Sequence, residues 1–514
     1  MFYMAILEAL APTAEGRKRI ALKSPATLEP VGEIVCADAQ DVADAIARAK
    51  KAQREWAARP VKERAAIVER AIEVLKRRQE EVIATIRAET GKTRPEVLAI
   101  ELVASYDFLN YWSGRAPKDL ADEKRPLHGY LKPLKKLIVH YKPLGVVGVI
   151  TPWNGPFALA MNSTVQALLA GNAVILKPSE VTPHSSAWAV KILQEAGVPE
   201  DVVQVLYGDG ETGAALVRGG VNKIAFTGSV PTGKKIAAAC AEQLVPCTLE
   251  LGGKDAMIVC ADANLERAAN AAVFLSMFNS GHVCMGTERI YVVEEIADEF
   301  IRKVEEKTRA VRFGRGDEVD VGAIFWDRQL TIIEKHLEDA VNKGATLRVG
   351  GRAHRDGGIF FEPTLVTDVN HDMSLMNEET FGPIVAIQRV RDEEHAIELA
   401  NDCKYGLSAS VFTSDPKKAV AIAKRLEAGS VCINDGEVIY GVLEAPFGGV
   451  KESGLGRVNG TDALRSFCHA QPILLDRWNL DRESIWYPFG PDTLKALEGT
   501  IKYIFWTPIR KLMR

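Results

Sequence analysis

The hydrophobic and polar residues that follow position 37 recur at helical spacing. Residues 38–59 place apolar side chains every three or four positions, which predicts an amphipathic helix capped by Asp38 and ended by Pro60. The same spacing continues over residues 61–90, where Gly91 is the expected C-cap. We therefore predict two long helices in this part of the chain.

Beyond these helices, short apolar runs alternate with helical stretches. The runs occupy residues 144–150, 172–176, 203–206, 223–226, 256–259, 289–293, 384–390 and 408–412. Strands that alternate with helices at this spacing are typical of βαβ units and a parallel sheet, so the predicted fold class is α/β. Prolines and polar residues interrupt the uncharged stretch 143–176, which favours two buried strands around a helix over a membrane span.

The composition is that of an ordinary globular protein. Of the 514 residues, 47% are hydrophobic and 26% are charged, which excludes collagen-like, coiled-coil and wholly disordered classes. At roughly 150 residues per domain, the length suggests about three domains or two large ones. The formal net charge of -4 shows no basic excess, so we expect no nucleic-acid partner.

The cysteines and the first ten residues bear on the compartment. The chain has 8 cysteines and no Cys-x-x-Cys pair, so we predict no metal site of the zinc-ribbon type. Cysteines dispersed in apolar stretches fit a reducing, cytoplasmic compartment. Residues 1–10 are apolar but contain Glu8 and no basic residue, so they make a poor signal peptide.

Two glycine-rich turns follow predicted strands and could hold a phosphate. Gly208–Gly213 has the pattern G-x-G-x-x-G with Gly210 inside it, and Phe226–Gly233 opens a helix through Gly228 and Ser229. A dinucleotide-binding turn of this pattern is followed about 20 positions later by an acidic residue at a strand end. In this chain that place falls in residues 223–226, where no acidic residue stands. Each turn alone is also typical of an ordinary connection between a strand and a helix.

A lysine and a glutamate follow the strand predicted at 172–176. They stand in the sequence Lys177-Pro178-Ser179-Glu180. Ligands of parallel sheets bind at the carboxyl ends of strands, where these two side chains could contact ribose hydroxyls. A solvated charged turn is the alternative.

Two further motifs could carry chemistry. Glu250 stands between an apolar run and two glycines, and Cys284 stands in the small-residue turn 279–286. A nucleophilic thiolate needs exposure and nearby dipoles, because a free thiol with a pKa near 8.5 is little ionised at neutral pH. A turn glutamate and a buried hydrophobic cysteine are the alternatives. We expect His282 to shape the loop and not to act as a base.

Taken together and in this order, the motifs resemble those of the aldehyde dehydrogenase superfamily. The similarity runs from about residue 20 to about residue 475. The matching motifs are Pro152-Trp153-Asn154, Lys177-Pro178-Ser179-Glu180, Phe226-Thr227-Gly228-Ser229, Glu250-Leu251-Gly252-Gly253-Lys254, the Cys284 loop, Glu378-Glu379-Thr380-Phe381-Gly382-Pro383, and Pro446-Phe447-Gly448-Gly449 with Ser453-Gly454. A chance agreement of so many motifs in family order is negligible.

The resemblance implies a Rossmann-type cofactor domain, a second α/β domain that carries the cysteine, and a small β flap for oligomerisation. The implied segments are 1–126 and 144–252 for the cofactor domain, 253–454 for the catalytic domain, 127–143 and 455–478 for the flap, and 479–514 for an amphipathic tail. The second flap segment would complete a neighbouring subunit's sheet, so a homodimer or homotetramer is expected.

The resemblance also implies roles for individual residues. Cys284 would attack the aldehyde, Asn154 and the backbone N–H of Cys284 would hold the oxyanion, and Glu250 would activate the water that hydrolyses the thioester. The implied cofactor is NAD, with NADP possible; Glu180 favours NAD because its carboxylate repels a 2′-phosphate. The residues implied to bind the cofactor are Trp153, Lys177, Ser179, Glu180, Gly210, Gly228, Ser229, Gly233, Leu251, Glu379 and Phe381.

Four features depart from the family pattern. Gly155 follows the catalytic asparagine, where many members carry Phe or Tyr in the substrate tunnel. Ser163 and Val458 stand where several members have a Lys and a Glu that are suspected of relaying protons. The tail after about residue 477 is longer than in most members and combines apolar, aromatic and basic residues. It could form an interfacial element at a membrane, or pack over a partner subunit or the substrate mouth.

These features favour a lipophilic substrate, meaning an aromatic or long-chain aldehyde. Three alternatives stay open: a catalytically silent family member that serves as a binding or structural protein, a semialdehyde dehydrogenase for a small polar substrate, and an acylating, CoA-dependent enzyme. The presence of Cys284, Glu250 and Asn154 favours an active enzyme, and Glu250 disfavours the acylating variant.

Overall fold

The computed structural model describes residues 16–483 and 485–512. The predicted lack of a signal peptide concerns residues 1–10, which lie outside the described residues. The helices are α1 Ala39–Ala58, α2 Val61–Thr90, α3 Arg94–Glu96, α4 Ala104–Asp119, α5 Pro156–Leu169, α6 Pro183–Glu195, α7 Gly210–Arg218, α8 Val230–Glu242, α9 Leu265–Met277, α10 Glu294–Ala310, α11 Asp327–Asn342, α12 Ser374–Asn377, α13 Glu393–Asn401, α14 Pro416–Ala423, α15 Gly460–Arg465, α16 Pro491–Thr500 and α17 Ile509–Leu512.

The strands alternate with these helices over most of the chain. They are β1 Arg19–Lys23, β2 Pro30–Val35, β3 Glu123–Arg125, β4 Lys135–Pro143, β5 Val146–Ile150, β6 Ala173–Lys177, β7 Val203–Val205, β8 Lys223–Thr227, β9 Cys247–Glu250, β10 Asp255–Val259, β11 Thr287–Val293, β12 Thr346–Val349, β13 Ala353–His354, β14 Phe360–Phe361, β15 Thr364–Thr367, β16 Ile384–Val390, β17 Ser408–Phe412, β18 Ser430–Ile433, β19 Gly454–Leu455 and β20 Cys468–Asp476. The two predicted helices and the eight predicted strands are confirmed, each within two residues of the expected bounds.

Two sheets form the centre of the molecule, and both are largely parallel. The first has the strand order β19-β9-β8-β5-β6-β7, in which only β19 runs antiparallel to its neighbour. Apolar side chains of α2, α4, α5 and α6 cover one face of this sheet, and those of α1, α7 and α8 cover the other. Helices on both faces of a parallel sheet explain why its strands are apolar throughout.

The second sheet has the order β12-β15-β16-β11-β10-β17-β18. All of its strand pairs are parallel except β12 with β15. The short segment between β9 and β10 passes from the first sheet to the second. The chain therefore leaves the first sheet at its carboxyl edge and enters the second at its amino edge.

A third, antiparallel sheet has the order β20-β4-β3. β4 and β20 pair over their whole length, from Cys468 opposite Pro143 to Asp476 opposite Lys135. The predicted first flap strand, which sequence placed at 127–143, begins only at Lys135, because a 3-10 turn occupies Gly129–Leu131. β3 lies before the predicted flap, and the predicted boundary at 454/455 divides β19. The domain boundaries themselves stay predictions.

The C-terminal segment is helical but poorly covered. α16 continues into a π-helical turn, Ile501–Phe505. Leu494 and Leu497 of α16 are 59% and 45% exposed, and Ile501 of the π-helical turn is 46% exposed. In residues 16–483 and 485–512, no helix is both long and apolar enough to cross a membrane.

Candidate active site

Cys284 lies in the turn between α9 and β11 and is partly buried. The residues before it have left-handed backbone conformations, with φ of 57° at Asn279, 58° at Ser280 and 73° at Gly281. Such conformations cost about 1–3 kcal/mol for a non-glycine residue and cluster at functional sites. At Gly281 a Cβ atom would lie 2.2 Å from the backbone of Gly382, so only glycine fits.

Asn154 follows β5, and its side chain is fixed by hydrogen bonds. Its Nδ2 donates to the carbonyl oxygen of His282 at 3.0 Å. The Asn279 amide donates to the same carbonyl at 3.0 Å and to the Asn154 carbonyl at 3.1 Å. These bonds hold the Asn154 amide against the Cys284 loop and leave a second N–H of that amide for a ligand. Sequence reasoning missed Asn279, although asparagine is a common choice in left-handed turns.

Glu250 is the last residue of β9, and it is 5% exposed. Within the described residues its Oε1 has no hydrogen-bond partner. Burial raises the pKa of Glu250 well above its usual range, and the positive charge of Arg457 opposes this shift. A Cβ atom at Gly448 would lie 2.9 Å from both Glu250 Oε1 and Arg457 Cδ, so the two side chains share this site.

Cys284 lies in a buried environment that also contains several carboxyl groups. Burial raises the pKa of its thiol above the ordinary value, and the carboxyl groups of Glu250, Glu379 and Asp255 raise it further. The side chain is therefore a neutral thiol at neutral pH in the free protein.

Gly252 and Gly253, between the two central sheets, let the Glu379 carboxylate and the Cys284 loop come close to the backbone that joins these sheets. A Cβ atom at Gly252 would lie 2.3 Å from Glu379 Oε2, and one at Gly253 would lie 2.2 Å from the Cys284 carbonyl oxygen. The Gly253 N–H also donates to Glu379 Oε1 at 3.2 Å. Burial raises the pKa of Glu379 to about 8, and Glu288 adds to the shift.

Four aromatic rings form a cluster beside Cys284. The ring of Trp153 lies 5.0 Å from His282, 5.8 Å from Phe325 and 5.4 Å from Phe381, measured between centroids. Burial lowers the pKa of His282 well below its ordinary value, and Lys92 lowers it further, so the ring is neutral. His282 thus packs within the loop, as the sequence predicts.

The predicted ribose-binding residues Lys177 and Glu180 lie at the carboxyl end of β6, with the predicted cofactor-binding residues Ser179 beside them and Gly210 after β7. Lys177 is 5% exposed, and its Nζ lies 3.5 Å from Glu180 Oε2. Burial lowers the pKa of Lys177, and Glu180 opposes this shift. Gly210 is the first residue of α7, whose first turn lies against Lys177. The Ser179 hydroxyl accepts a hydrogen bond from the Val181 N–H at 3.2 Å.

The predicted pyrophosphate-binding turn at Gly228 and Ser229 follows β8, and the other predicted cofactor-binding residues nearby are Gly233 in α8 and Leu251 after β9. Ser229 precedes α8 but gives its backbone no side-chain cap, because its hydroxyl donates to Thr232 Oγ1 at 3.1 Å. The Gly228 N–H donates to the Glu250 carbonyl at 3.0 Å. A Cβ atom at Gly233 would lie 2.5 Å from Leu251, so α8 packs closely on β9's end.

These residues fit a dinucleotide. The uncapped N–H groups at the start of α8, which has 13 residues, suit an anionic pyrophosphate. Lys177 is a buried ammonium whose side-chain contact among the described residues is Glu180 at 3.5 Å, so it keeps donors for ribose hydroxyls. β5, after which the chain continues to Trp153 and Asn154, lies where the strand order of the first sheet reverses, the usual place for ligands in such sheets.

A network of buried polar side chains joins α5 to Trp112, Tyr440 and Val458, and sequence reasoning missed it. Asn162 donates to the Tyr440 hydroxyl at 3.3 Å and accepts from Trp112 Nε1 at 2.9 Å. Gln166 donates to the Val458 carbonyl at 2.8 Å. Burial raises the pKa of Tyr440, and the charges of Glu250 and Cys284 raise it further, so Tyr440 lies within electrostatic range of both residues. Nothing in the local sequence marks these residues, because they come from three distant segments.

Comparisons with known proteins identify the family of the chain. The profile of the aldehyde dehydrogenase family matches residues 12–473. A putative succinate-semialdehyde dehydrogenase (NADP+) 2 of Mycobacterium ulcerans is 39% identical over 497 residues, which are 95% of this chain and 93% of that protein. A 4,4′-diapolycopene aldehyde oxidase of a Methylomonas species is 37% identical over 460 residues, which are 90% of this chain and 86% of that protein.

The fold matches solved structures equally well. The crystal structure of a Mycobacterium tuberculosis aldehyde dehydrogenase complexed with NAD+ superposes with a TM-score of 0.86 and 35% identity, covering 91% of this chain and 96% of that chain. These matches account for the two largely parallel sheets of the fold. The chain belongs to the aldehyde dehydrogenase family and is an NAD(P)-dependent aldehyde dehydrogenase.

Proposed function

We propose that Cys284, Asn154 and Glu250 carry out the oxidation of a lipophilic aldehyde to its carboxylic acid. The Cys284 thiol passes its proton to water, and the sulfur attacks the carbonyl carbon. The free N–H of the Asn154 amide and the backbone N–H of Cys284 stabilise the oxyanion that forms. NAD(P), when bound, accepts the hydride. The observation that carries this proposal is the hydrogen-bonded contact of Asn154 with the Cys284 loop.

Glu250 is proposed as the base that activates water for thioester hydrolysis. Its Oε1 has no partner among the described residues, so a water molecule can occupy that place. The raised pKa of the buried carboxyl makes the ionised form a stronger base than an exposed glutamate. Arg457, which lies beside it, offsets part of the cost of ionising Glu250 in a buried site.

NAD is the proposed preferred cofactor. Glu180 stands next to Lys177, where its carboxylate can accept a hydrogen bond from a 2′-hydroxyl and repels a 2′-phosphate. The mycobacterial relative is named for NADP+, so this preference needs its own test. We expect a higher kcat/KM with NAD than with NADP and a smaller difference in E180Q. A higher kcat/KM with NADP in the wild-type protein would overturn the preference.

A lipophilic substrate is supported by apolar residues on two segments that meet at Tyr440, residues 103–108 and 438–444. The ring of Tyr440 lies 6.2 Å from Phe108, where these segments meet. Three valines of the two segments are exposed, with 64% at Val103, 54% at Val438 and 39% at Val442. Exposed apolar side chains around a site are typical of a binding surface for an apolar ligand.

The charges on the same two segments disfavour an acidic semialdehyde. Asp107 follows Val103 by one helical turn, and burial together with Glu444 raises the pKa of Asp107. Two neighbouring carboxylates repel the carboxylate of a substrate such as succinate semialdehyde. The Methylomonas relative is named for an apolar aldehyde and the Mycobacterium relative for an acidic one, so relatives alone do not decide.

A panel of aldehydes tests the substrate class. NADH formation is followed by absorbance with decanal, benzaldehyde and succinate semialdehyde. We expect the highest kcat/KM with decanal or benzaldehyde, and we expect D107N/E444Q to improve only succinate semialdehyde. A preference of the wild-type protein for succinate semialdehyde would support the semialdehyde function instead.

We further propose that the protein is a homo-oligomer and that its tail contacts apolar surfaces. β20 pairs with β4 on one edge, while Ile473, Leu474 and Leu475 are 42%, 55% and 41% exposed. An exposed apolar edge strand invites pairing with a second copy. Light scattering at micromolar concentration should give a dimer or tetramer, and a monomer would contradict the proposal.

A further inference from the structure

A buried ion pair lies directly behind the candidate active site. The ammonium of Lys92 contacts Oε1 of Glu101, and neither side chain is exposed to solvent. Lys92 follows the C-cap of α2, whereas Glu101 belongs to the π-helical segment Val97–Val103. π-helical turns are rare and occur frequently at functional sites. Because burying two charges costs free energy, a buried pair is weak evidence for a stabilising role alone.

The second oxygen of Glu101 caps the helix that begins two residues after Asn154. Oε2 accepts hydrogen bonds from the backbone N–H groups of Phe157 at 3.1 Å and Ala158 at 2.8 Å. These groups belong to the first turn of α5, which has no partners for them within the helix, and Gly155 supplies no side-chain cap. A carboxylate also interacts favourably with the helix dipole there. Glu101 thereby fixes the direction in which the chain leaves Asn154.

On its other side, the pair contacts the wall of the Cys284 loop. The Lys92 Nζ lies 5.6 Å from the centroid of the Phe325 ring, and that ring lies 4.4 Å from the imidazole of His282. The His282 carbonyl is the acceptor for the Asn154 amide. The pair therefore lies between the two segments that supply the proposed oxyanion donors.

We propose that Lys92 and Glu101 are positioning residues for oxyanion stabilisation, an inference that rests on the role proposed above for Asn154. Glu101 holds the start of α5 and so aims the Asn154 amide, while Lys92 offsets the carboxylate's charge where water does not reach. Neither residue touches substrate. A misplacement of about 1 Å in a catalytic site lowers a rate by about 10²-fold, so the effect is measurable.

Two double variants isolate the capping oxygen. K92M/E101L removes both charges and the acceptor, whereas K92M/E101Q removes the same charges and keeps one side-chain oxygen for the N–H groups of α5. The exposed pair of Arg94 and Glu80, with 38% and 67% of the side chains accessible, provides the control variant R94M/E80Q.

Two reactions of Cys284 that need no cofactor are compared. In acylation by p-nitrophenyl acetate, the sulfur takes the acetyl group, nitrophenolate leaves with the bonding electron pair, and the thiol proton passes to solvent. In alkylation by iodoacetamide, the sulfur displaces iodide and again loses its proton to solvent. Acylation passes through an oxyanion and alkylation does not, so their ratio reports on the oxyanion site and not on general damage to the thiol.

We expect K92M/E101L to slow acylation by about 10- to 100-fold while the alkylation rate stays that of the wild-type protein. K92M/E101Q should keep most of the acylation rate, and R94M/E80Q should change neither rate. If K92M/E101L acylates like the wild-type protein, or loses acylation and alkylation in equal proportion, the positioning role is overturned.

A second variant covers the case in which K92M/E101L does not fold. E101D keeps the charge but withdraws the carboxylate by one methylene, so we expect the same selective loss of acylation, and equal ratios in E101D and wild type would overturn the inference. N154A separates the two claims. Wild-type acylation in N154A contradicts the proposed function, whereas slow acylation in N154A with normal acylation in the Glu101 variants overturns only the positioning role.

Discussion

The Cys284 loop and the C-terminal tail differ in what holds them. In the loop, left-handed residues, a hydrogen bond from the Asn279 side chain to the His282 carbonyl and a close contact of Gly281 fix the backbone. In the tail, large side chains are exposed, with 81% at Tyr487 and 72% at Trp506. The proposed catalytic residues are therefore positioned by contacts within this chain, whereas the exposed tail has few such contacts among the described residues.

Replacing the nucleophile should give the largest effect. We expect C284A to abolish aldehyde oxidation, because alanine has no thiol to attack the carbonyl carbon, while thermal stability changes little. Steady-state NADH formation measures the loss. C403A, which removes another partly exposed cysteine, is the matched control and should keep full activity. Turnover in C284A would contradict the assignment.

Removing the side-chain oxyanion donor should have the next largest effect. We expect N154A to lower kcat by about 10²- to 10³-fold, the usual cost of one such donor. N154D keeps the size of the side chain but has no N–H group, so it should be equally impaired. Near-normal kcat in N154D would show that the amide does not hold the oxyanion.

The reactivity of Cys284 should depend on pH in the direction set by its surroundings. Because burial and three carboxyl groups raise the pKa of the thiol, the thiolate fraction at neutral pH is low. Alkylation by iodoacetamide in the absence of cofactor should therefore rise by about tenfold per pH unit from neutral to mildly alkaline pH. C284A gives the background from the other cysteines. Fast alkylation that does not change with pH would disprove the acidic, apolar environment.

Deleting residues 486–514 should have the smallest effect on catalysis. We expect kcat for benzaldehyde to stay unchanged, while KM for decanal rises or binding to lipid vesicles is lost, since exposed aromatic residues favour an interface. Vesicle sedimentation and KM across chain lengths provide the two measurements. If neither changes, the tail takes no part in substrate delivery.

The elements of this comparison were not equally predictable from sequence. Asp38, Pro60 and Gly91 mark the ends of α1 and α2 because caps and breakers act locally. The roles of Cys284 and Glu250 could be proposed from sequence because their motifs occur along the chain in the same order as in the family.

Other features depend on residues far apart in sequence. Asn279 bonds to Asn154, 125 residues away, and Glu101 caps α5 from 56 residues away. β3 is short, charged and exposed, so no hydrophobic pattern announces it.

A rapid-mixing measurement on E250Q tests the central claim most directly. If Glu250 activates water only for thioester hydrolysis, mixing E250Q with aldehyde and NAD should release about one equivalent of NADH per subunit at a rate near that of the wild-type burst. Steady-state turnover should then fall by about 10²-fold or more, because the acylated Cys284 cannot be released. Full steady-state turnover in E250Q, or the absence of the first equivalent, would contradict the account.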